Sequence, residues 1–365
     1  MKRHLLYLAI VLFLSTNCFA QNQAKEGNQY FINDGPYFFD LNNKLVVKWV
    51  EKGVLHVKKA NPESYADVKS KFNLLFDCKD LSSTFLQKPA YKQEFSGVDS
   101  IAAITDIHGE FDKYTSLLKS LGIVDDKLNW KFGTGHLVVL GDCFDRGDKV
   151  TELLWHIFGL EKQAAKAGGK VHLLLGNHEN MTLSQDTRYI NEKYLKVEQI
   201  TGMRYYDLYS EKSVLGKWLR NKPEVISIND IIFVHAGLSI EMVRRKLKIE
   251  HINQVFSDML LKKERESETD IEELIFLNDD KGPLWYRGYF NDETFCVSRL
   301  DSILDFYSKK YIVVGHTPSS QIKTRFDNKI IGIDAGMGND EAGAMLVFKN
   351  GIFYTGCSTG KRTKL

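Results

Sequence analysis

Three short polar motifs, each following an apolar run of strand length, constrain this chain more than any other feature. Thr105-Asp106-Ile107-His108-Gly109 follows the run 101–104, and Gly141-Asp142-Cys143-Phe144-Asp145-Arg146-Gly147 follows 137–140. Gly176-Asn177-His178-Glu179 follows 171–175. Short apolar runs ending in glycine and polar residues read as buried strands of a sheet covered on both faces. The motifs then sit where such strands end, which is where open α/β sheets build their sites. Between the runs, 111–121 carries apolar residues at helical spacing, and 150–167 carries Leu153, Leu154, Ile157, Phe158 and Leu160 on one stripe before Gly168-Gly169. Strand and helix therefore alternate, which is the pattern of βαβ units.

The side chains of the motifs are those of a metal site. Asp106 and His108 are two apart, so if strand geometry persists to its end both leave on one face and can share an ion. Asp142 adds a carboxylate able to bridge two ions, and Asn177 a neutral oxygen. Two later strand-then-histidine segments, 231–237 with His235 and 312–318 with His316, complete a set of six ligands. Mixed oxygen and imidazole donors suit manganese, iron or zinc. Any one of these residues alone would read as a cap or a turn residue. Six of them, each just past an apolar strand, read as a site.

The order and spelling of these segments resemble the PPP family of metal-dependent phosphoprotein phosphatases, within the calcineurin-like metallophosphoesterases. The family's GDxHG, GDxxDRG, GNHE, HAGLS-like and later histidine segments all occur in the family order, across residues 101–338. Thr105 departs from the pattern, standing where the family usually has glycine, one residue before the first ligand. Gly282-Pro283-Leu284-Trp285-Tyr286-Arg287-Gly288 is similar to the PLWxRG segment of the bacterial-type, Shewanella-like protein phosphatase branch.

The resemblance implies an α/β, calcineurin-like metallophosphoesterase fold: two central mixed β-sheets sandwiched by helices, with a small N-terminal β-rich extension. It implies two divalent metal ions, manganese ahead of iron or zinc, with Asp106, His108 and Asp142 holding the first and Asp142, Asn177, His235 and His316 the second. His178 would protonate the leaving oxygen, oriented by Asp145, while Arg146 and Arg287 clasp the phosphoryl oxygens. The activity implied is phosphomonoester hydrolysis by direct in-line attack of a hydroxide shared between two metals. Its substrate would be phosphoserine, phosphothreonine or phosphotyrosine in a protein or peptide. Two alternatives stay open. One is hydrolysis of a small phosphomonoester, a nucleotide or a bis-nucleoside polyphosphate, whose enzymes share these motifs. The other is an inactive phosphate-binding sensor, which would be expected to lack His178, Asp145 or a ligand; all are present.

The ends of the chain bear on location. Residues 1–20 carry Lys2 and Arg3, an apolar stretch over 5–14 and Cys18-Phe19-Ala20, the layout of a secretory signal peptide cleaved after Ala20. The expected location is periplasmic or secreted, with no transmembrane anchor after cleavage. Acylation at Cys18 is the rival reading, disfavoured by Asn17, a poor small residue before the cysteine. Losing Lys2 and Arg3 takes the formal charge from +2 to 0, which leaves no general electrostatic reason to bind nucleic acid or anionic lipid. Cys78, Cys143, Cys296 and Cys357 remain at irregular spacing without a disulfide framework. Cys143 is not read as a nucleophile, because a cysteine phosphatase needs arginine six residues on, where Lys149 stands.

Residues 21–100 are expected to form the extension, with a β meander over 30–58 and a short helix over 61–70, padding the core sheet. The catalytic domain then runs over 101–365, with a helical cap near 181–229 that shapes substrate access and a charged insertion near 250–280. The run Lys262-Lys263-Glu264-Arg265-Glu266 reads as a solvated helix face. His136, His156 and His172 lack companions at ligand spacing and read as structural. Strands are expected over 330–334 and 344–354, the latter turning at Lys349-Asn350-Gly351, and the tail 358–365 has no assigned role.

Overall fold

A computed structural model describes residues 31–42, 44–262 and 268–365. The expected signal peptide, Cys18 and residues 263–267, which include all of the charged run but Lys262, lie outside the described residues. The chain enters through β1 (Asp34–Asp40), β2 (Leu45–Glu51) and β3 (Val54–Lys59), the antiparallel meander that 30–58 predicts. A capping box between Asn61 and Ser64 starts α1 (Pro62–Lys71), and α2 (Cys78–Thr84) and the short β4 (Glu94–Phe95) follow. Next come β5 (Ser100–Ile104), α3 (Phe111–Ser120), β6 (His136–Val139), α4 (Val150–Lys166) and β7 (Lys170–Leu173), with the three strands mutually parallel.

Four short helices occupy the expected cap region: α5 (Asn177–Leu183), α6 (Glu192–Thr201), α7 (Tyr205–Leu208) and α8 (Val214–Leu219). The antiparallel pair β8 (Val225–Ile228) and β9 (Ile231–Val234) closes it. Helices α9 (Ile240–Arg244), α10 (Ile249–Leu260), α11 (Glu268–Leu277), α12 (Gly288–Asn291) and α13 (Val297–Tyr307) lead to β10 (Tyr311–Val314). The last strands are β11 (Lys323–Arg325), β12 (Ile330–Gly332), β13 (Met345–Lys349), β14 (Ile352–Gly356) and β15 (Arg362–Lys364).

Alternation along the strands dictates the layers. The sheet β15-β14-β13-β5-β6-β7 and the sheet β11-β12-β10-β9-β8-β4 both mix parallel and antiparallel pairs. Ile101, Ala103 and Val138 of the first sheet meet Ile226, Phe233 and Val313 of the second in one apolar cluster. The alternate residues Ala102, Ile104, Leu137 and Val139 pack with Leu117 of α3 and Leu154 of α4. On the far side Ile232, Val234, Ile312 and Val314 pack with Met242 of α9, Phe256 of α10 and Ile303 of α13. Two mixed sheets thus lie face to face with helices outside, the fold class expected.

Several local expectations change. The N-terminal sheet rests on helices α4, α6 and α8 rather than on the core sheet: Trp155 Nε1 donates to Pro36 O at 2.7 Å and Asp40 N to Lys212 O at 2.8 Å. Part of 250–280 is core, because α10 turns Ile252, Val255, Phe256 and Leu260 inward. The tail 358–365 contributes the edge strand β15. Cys78, Cys143, Cys296 and Cys357 are free, with Cys143 buried. His156 is buried between Tyr114 Oη and the Leu128 carbonyl, as a structural histidine. Among the described residues no helix is long and apolar enough to cross a membrane.

The inter-sheet cluster is the joint of the fold, so Phe233→Ala should cost about 3–5 kcal/mol through the cavity it opens. A calorimetric midpoint several degrees lower, with near-native circular dichroism below it, is the expected result.

Candidate metal centre

The six candidate ligands all stand just past the C-terminal ends of strands. Asp106 and His108 follow β5, Asp142 follows β6, Asn177 follows β7, His235 follows β9 and His316 follows β10. Strand geometry does not persist as far as the two-residue spacing assumed, because β5 stops at Ile104 and Asp106 and His108 take φ of 50° and 47°. Asp142, Asp145, Arg146 and His316 have φ of 54°, 70°, 63° and 63°. Residues other than glycine adopt this left-handed region at a cost of about 1–3 kcal/mol each, and only where their surroundings fix them. Here the loops fix each other: His108 N donates to Asp142 O at 2.9 Å and Gly147 N to His108 O at 2.9 Å.

Two glycines are required by close approach. A Cβ on Gly176 would lie 2.2 Å from Asp142 Oδ1, and one on Gly315 would lie 2.2 Å from Thr105 Oγ1. Thr105, the departure from the family pattern, uses that space: its hydroxyl donates to Asp106 Oδ2 at 2.7 Å. The backbone N–H of His316 donates to the same oxygen at 2.9 Å.

The side chains converge on Asp142. Its Oδ2 lies 3.3 Å from His235 Nε2, 3.7 Å from His108 Nε2 and 3.9 Å from His178 Nε2. Two groups of donor atoms, His108-Asp142-His178 and Asp142-His235-His316, each lie within 4.8 Å and share Asp142. Asn177 Oδ1 is 2.9 Å from His235 Nε2. The donor set fits divalent cations. Nδ1 of His108 and of His235 each sits 2.7 Å from a backbone carbonyl, of Phe144 and Leu140, which places a proton there and leaves each Nε2 facing Asp142. Against burial, the charge of Asp142 raises the His235 pKa to about 10. His316 Nε2 is buried with no hydrogen-bond partner. Burial pushes the His108 pKa down to about 3, and burial with His235 pushes His316 down to about 2, so both are neutral imidazoles.

The sequence reading missed two acids. Asp334, buried just past β12, lines the same cavity, and burial reinforced by Asp106 pushes its pKa up to about 8. Its signal in the sequence is the one used for the other ligands, an acid after the apolar run Ile330-Ile331-Gly332-Ile333. Glu179 was seen as a motif residue without a role. Its buried carboxylate accepts from the N–H groups of Gly176 and Asp142, each at 2.7 Å, and of Cys143 at 2.6 Å, so one side chain ties the second motif loop to the third.

His178 Nδ1 lies 2.5 Å from Asp145 Oδ2. Burial alone would lower the His178 pKa, but the bond to Asp145 and the charge of Asp142 more than reverse it and raise it. Arg146 and Arg287 line one cavity of about 250 Å³ with Tyr189, Trp285 and Asn339, above the candidate ligands. Arg146 Nη1 donates to Asn339 Oδ1 at 2.8 Å. All ten predicted residues are therefore in or beside one site, from five strand ends and the Arg287 segment.

The strained Asp145-Arg146 turn is held from outside by the cap segment. Arg146 N donates to Tyr189 O at 2.9 Å, Asn191 Nδ2 to Arg146 O at 2.7 Å, and Lys193 Nζ to Asp148 O at 2.6 Å. Lys193 Nζ pairs at 2.8 Å with Asp34 of β1, at 13% and 0% side-chain exposure. The N-terminal sheet thus reaches the turn that carries Arg146 through one buried ion pair.

Comparison with known proteins agrees with this geometry. The family model of calcineurin-like phosphoesterases matches residues 100–320. The chain is 32% identical over 281 residues to Shewanella-like protein phosphatase 1 of Plasmodium berghei, covering 73% of this chain and 74% of that one. The crystal structure of a cold-active protein-tyrosine phosphatase of a psychrophilic Shewanella superposes with a TM-score of 0.80 at 33% identity, over 91% of this chain and 99% of that one. A Saccharomyces cerevisiae protein serine/threonine phosphatase, at 16% identity and a TM-score of 0.51 over 74% and 79% of the two chains, shares the fold. The chain belongs to the calcineurin-like metallophosphoesterases, hydrolases of phosphate esters that use divalent metals. Within them it falls in the Shewanella-like protein phosphatase branch.

Two variants test the supports of the site. In Glu179→Gln an amide N–H₂ replaces one acceptor oxygen, and metal affinity should fall roughly 10- to 100-fold, read by titrating the metal-stripped protein with manganese. In Asp34→Asn the pair with Lys193 loses its charge, and KM for an aryl phosphate should rise about three- to tenfold with a smaller change in kcat.

Proposed function

We propose that this phosphoesterase is an exported phosphoprotein phosphatase that works with two divalent metal ions, manganese foremost. The observation that carries the reading is the convergence of His178-Asp145, two arginines and two donor groups sharing Asp142 on one cavity. Asp106, His108 and Asp142 would hold one ion, and Asp142, Asn177, His235 and His316 the other, with Asp334 alongside. When bound, such ions would supply Lewis-acid polarisation of the phosphoryl group and would acidify water at the site.

The remaining work falls to the chain's own side chains. Arg146 and Arg287 bind the non-bridging phosphoryl oxygens, a planar fork matched to that geometry. Asn339 keeps the Arg146 guanidinium aimed into the cavity. His178 keeps a proton on Nε2, because Asp145 accepts from Nδ1, and gives it to the leaving oxygen as the ester bond breaks. Substrate identity is supported by the names of the relatives, a protein phosphatase and a protein-tyrosine phosphatase. It is also supported by Tyr189, whose ring is half exposed at 50% and lies 5.5 Å from that of His178, where the leaving group departs. A phenyl ring leaving from that position meets an aromatic face.

Three measurements test the proposal. Chelation should abolish hydrolysis of an aryl phosphate and manganese should restore it. His178→Asn should then lower kcat about 10²- to 10⁴-fold on a phosphoserine peptide, whose alkoxide needs the proton, and much less on p-nitrophenyl phosphate. An equal loss on both substrates would remove His178 from the role of acid. Tyr189→Ala should raise KM for a phosphotyrosine peptide about three- to tenfold and leave the phosphoserine peptide nearly unchanged.

A further inference from the structure

A cavity of about 560 Å³ lies at the other end of the first sheet from the metal centre. Its wall includes Lys170 at the start of β7, whereas Asn177 of the metal centre follows the end of that strand. Seven residues of mostly extended chain separate the two, on the order of 20 Å. Nothing described for the metal centre uses this cavity.

Three lysines reach it: Lys162 from α4, Lys170 from β7 and Lys222 from the turn after α8. Each ammonium is laid on an aromatic ring. Lys162 Nζ is 4.7 Å from the centre of Phe158, Lys170 Nζ 4.2 Å from Phe95 and Lys222 Nζ 4.6 Å from Trp218. Ring faces attract cations, and a lysine pinned in this way has already lost rotamer freedom that a solvated lysine keeps. One carboxylate lines the cavity, Glu161, and it is already engaged by Lys222 Nζ and by Trp218 Nε1, the latter at 2.8 Å. Among the described residues neither Lys162 nor Lys170 has a carboxylate partner. Lys222 is only 14% exposed, and burial lowers its pKa against the pull of Glu161, with Lys162 and Lys170 adding to the lowering. His172 also lines the cavity and hydrogen-bonds His136 at 3.0 Å, kept neutral by burial.

The cluster therefore gathers three fixed cations around one occupied acid. Like charges held together repel, and an anion between them removes that repulsion. A lysine cluster serving only solubility would be spread over the surface and free to move, not seated on three rings around one concavity. Three point-charge donors approaching from three elements suit oxygens that diverge, as on a phosphoryl group, better than the flat pair of a carboxylate. The volume exceeds what a single phosphate fills.

We propose that this cavity is a second anion site, which takes a small phosphate-bearing polyanion through Lys162, Lys170 and Lys222. Two sources carry that chemistry: free inorganic phosphate, or a further phosphate group on a phosphorylated peptide whose hydrolysable ester sits in the metal centre. The free-phosphate source stands whether or not the metal centre has the substrate proposed above, and the peptide source rests on that reading.

The test is equilibrium dialysis of the manganese-loaded full chain against radiolabelled inorganic phosphate, beside a Lys162→Ser/Lys170→Ser variant. The result expected is two phosphates per wild-type chain and one per variant chain, with kcat on an aryl phosphate unchanged. If free phosphate binds once in both, a doubly phosphorylated peptide should bind roughly tenfold more weakly to the variant, which assigns the site to the peptide source. One phosphate in both proteins together with equal peptide affinity overturns the proposal. Lys170→Met alone, at the open side of the cavity, guards against misfolding of the double variant: it should show the same loss at the second site, by about threefold or more, with an unchanged thermal midpoint.

Discussion

The buried carboxylate of Asp142 is the constraint on which the rest of the site depends. Its two oxygens meet three imidazoles and the His178 N–H, supplied from the ends of three other strands. Such a carboxylate cannot be left alone in an interior of low polarity. It is tolerable because His108 and His235 are positioned by backbone carbonyls, because Glu179 binds the loops around it, and, on the reading proposed above, because cations would sit there. Each feature in turn requires the two sheets to end at a common level. The packing of Phe233 against Ala103 and Val138 is therefore part of the chemistry, since it sets where the strand ends lie relative to one another.

The strain of the site follows from the same constraint. Side chains from adjacent parallel strands converge on one point only if the chain turns sharply just past each strand. Six residues other than glycine turn through the left-handed region to do so. Gly176 and Gly315 then let neighbouring loops close on the carboxylates. Here the Thr105 hydroxyl occupies the space at Gly315 and adds a hydrogen bond to Asp106. The N-terminal sheet extends the support outward, because Asp34 holds Lys193, which holds the turn carrying Arg146.

Much of this was legible in the sequence. The apolar runs before Asp106, Asp142 and Asn177 located β5, β6 and β7 to within a residue or two, because fully buried strands leave an unbroken apolar signature. His235 and His316 enter the set through their strand-then-histidine segments, but their grouping with Asn177 around one ion comes only from the resemblance to a known family, since periodicity does not say which strands are neighbours. The reach of Asp106 and His108 was predicted for a reason that does not hold, as the strand ends before either residue. Asp334 was overlooked although it carries the same signal as the others, an acid after an apolar run. The coupling of Asp34 to Lys193 had no sequence signal, because an ion pair between residues so far apart depends on the fold. The strand β8 was absorbed into a helical cap, since a four-residue apolar run fits either structure.

The central claim is that Asp142 is shared by two metal ions, and anomalous diffraction from manganese-loaded crystals tests it most directly. The account predicts two peaks roughly 3.5 to 4 Å apart, one beside Asp106 and His108 and one beside Asn177, His235 and His316, with Asp142 touching both. A single peak, or two peaks that leave Asp142 uncoordinated, would contradict it.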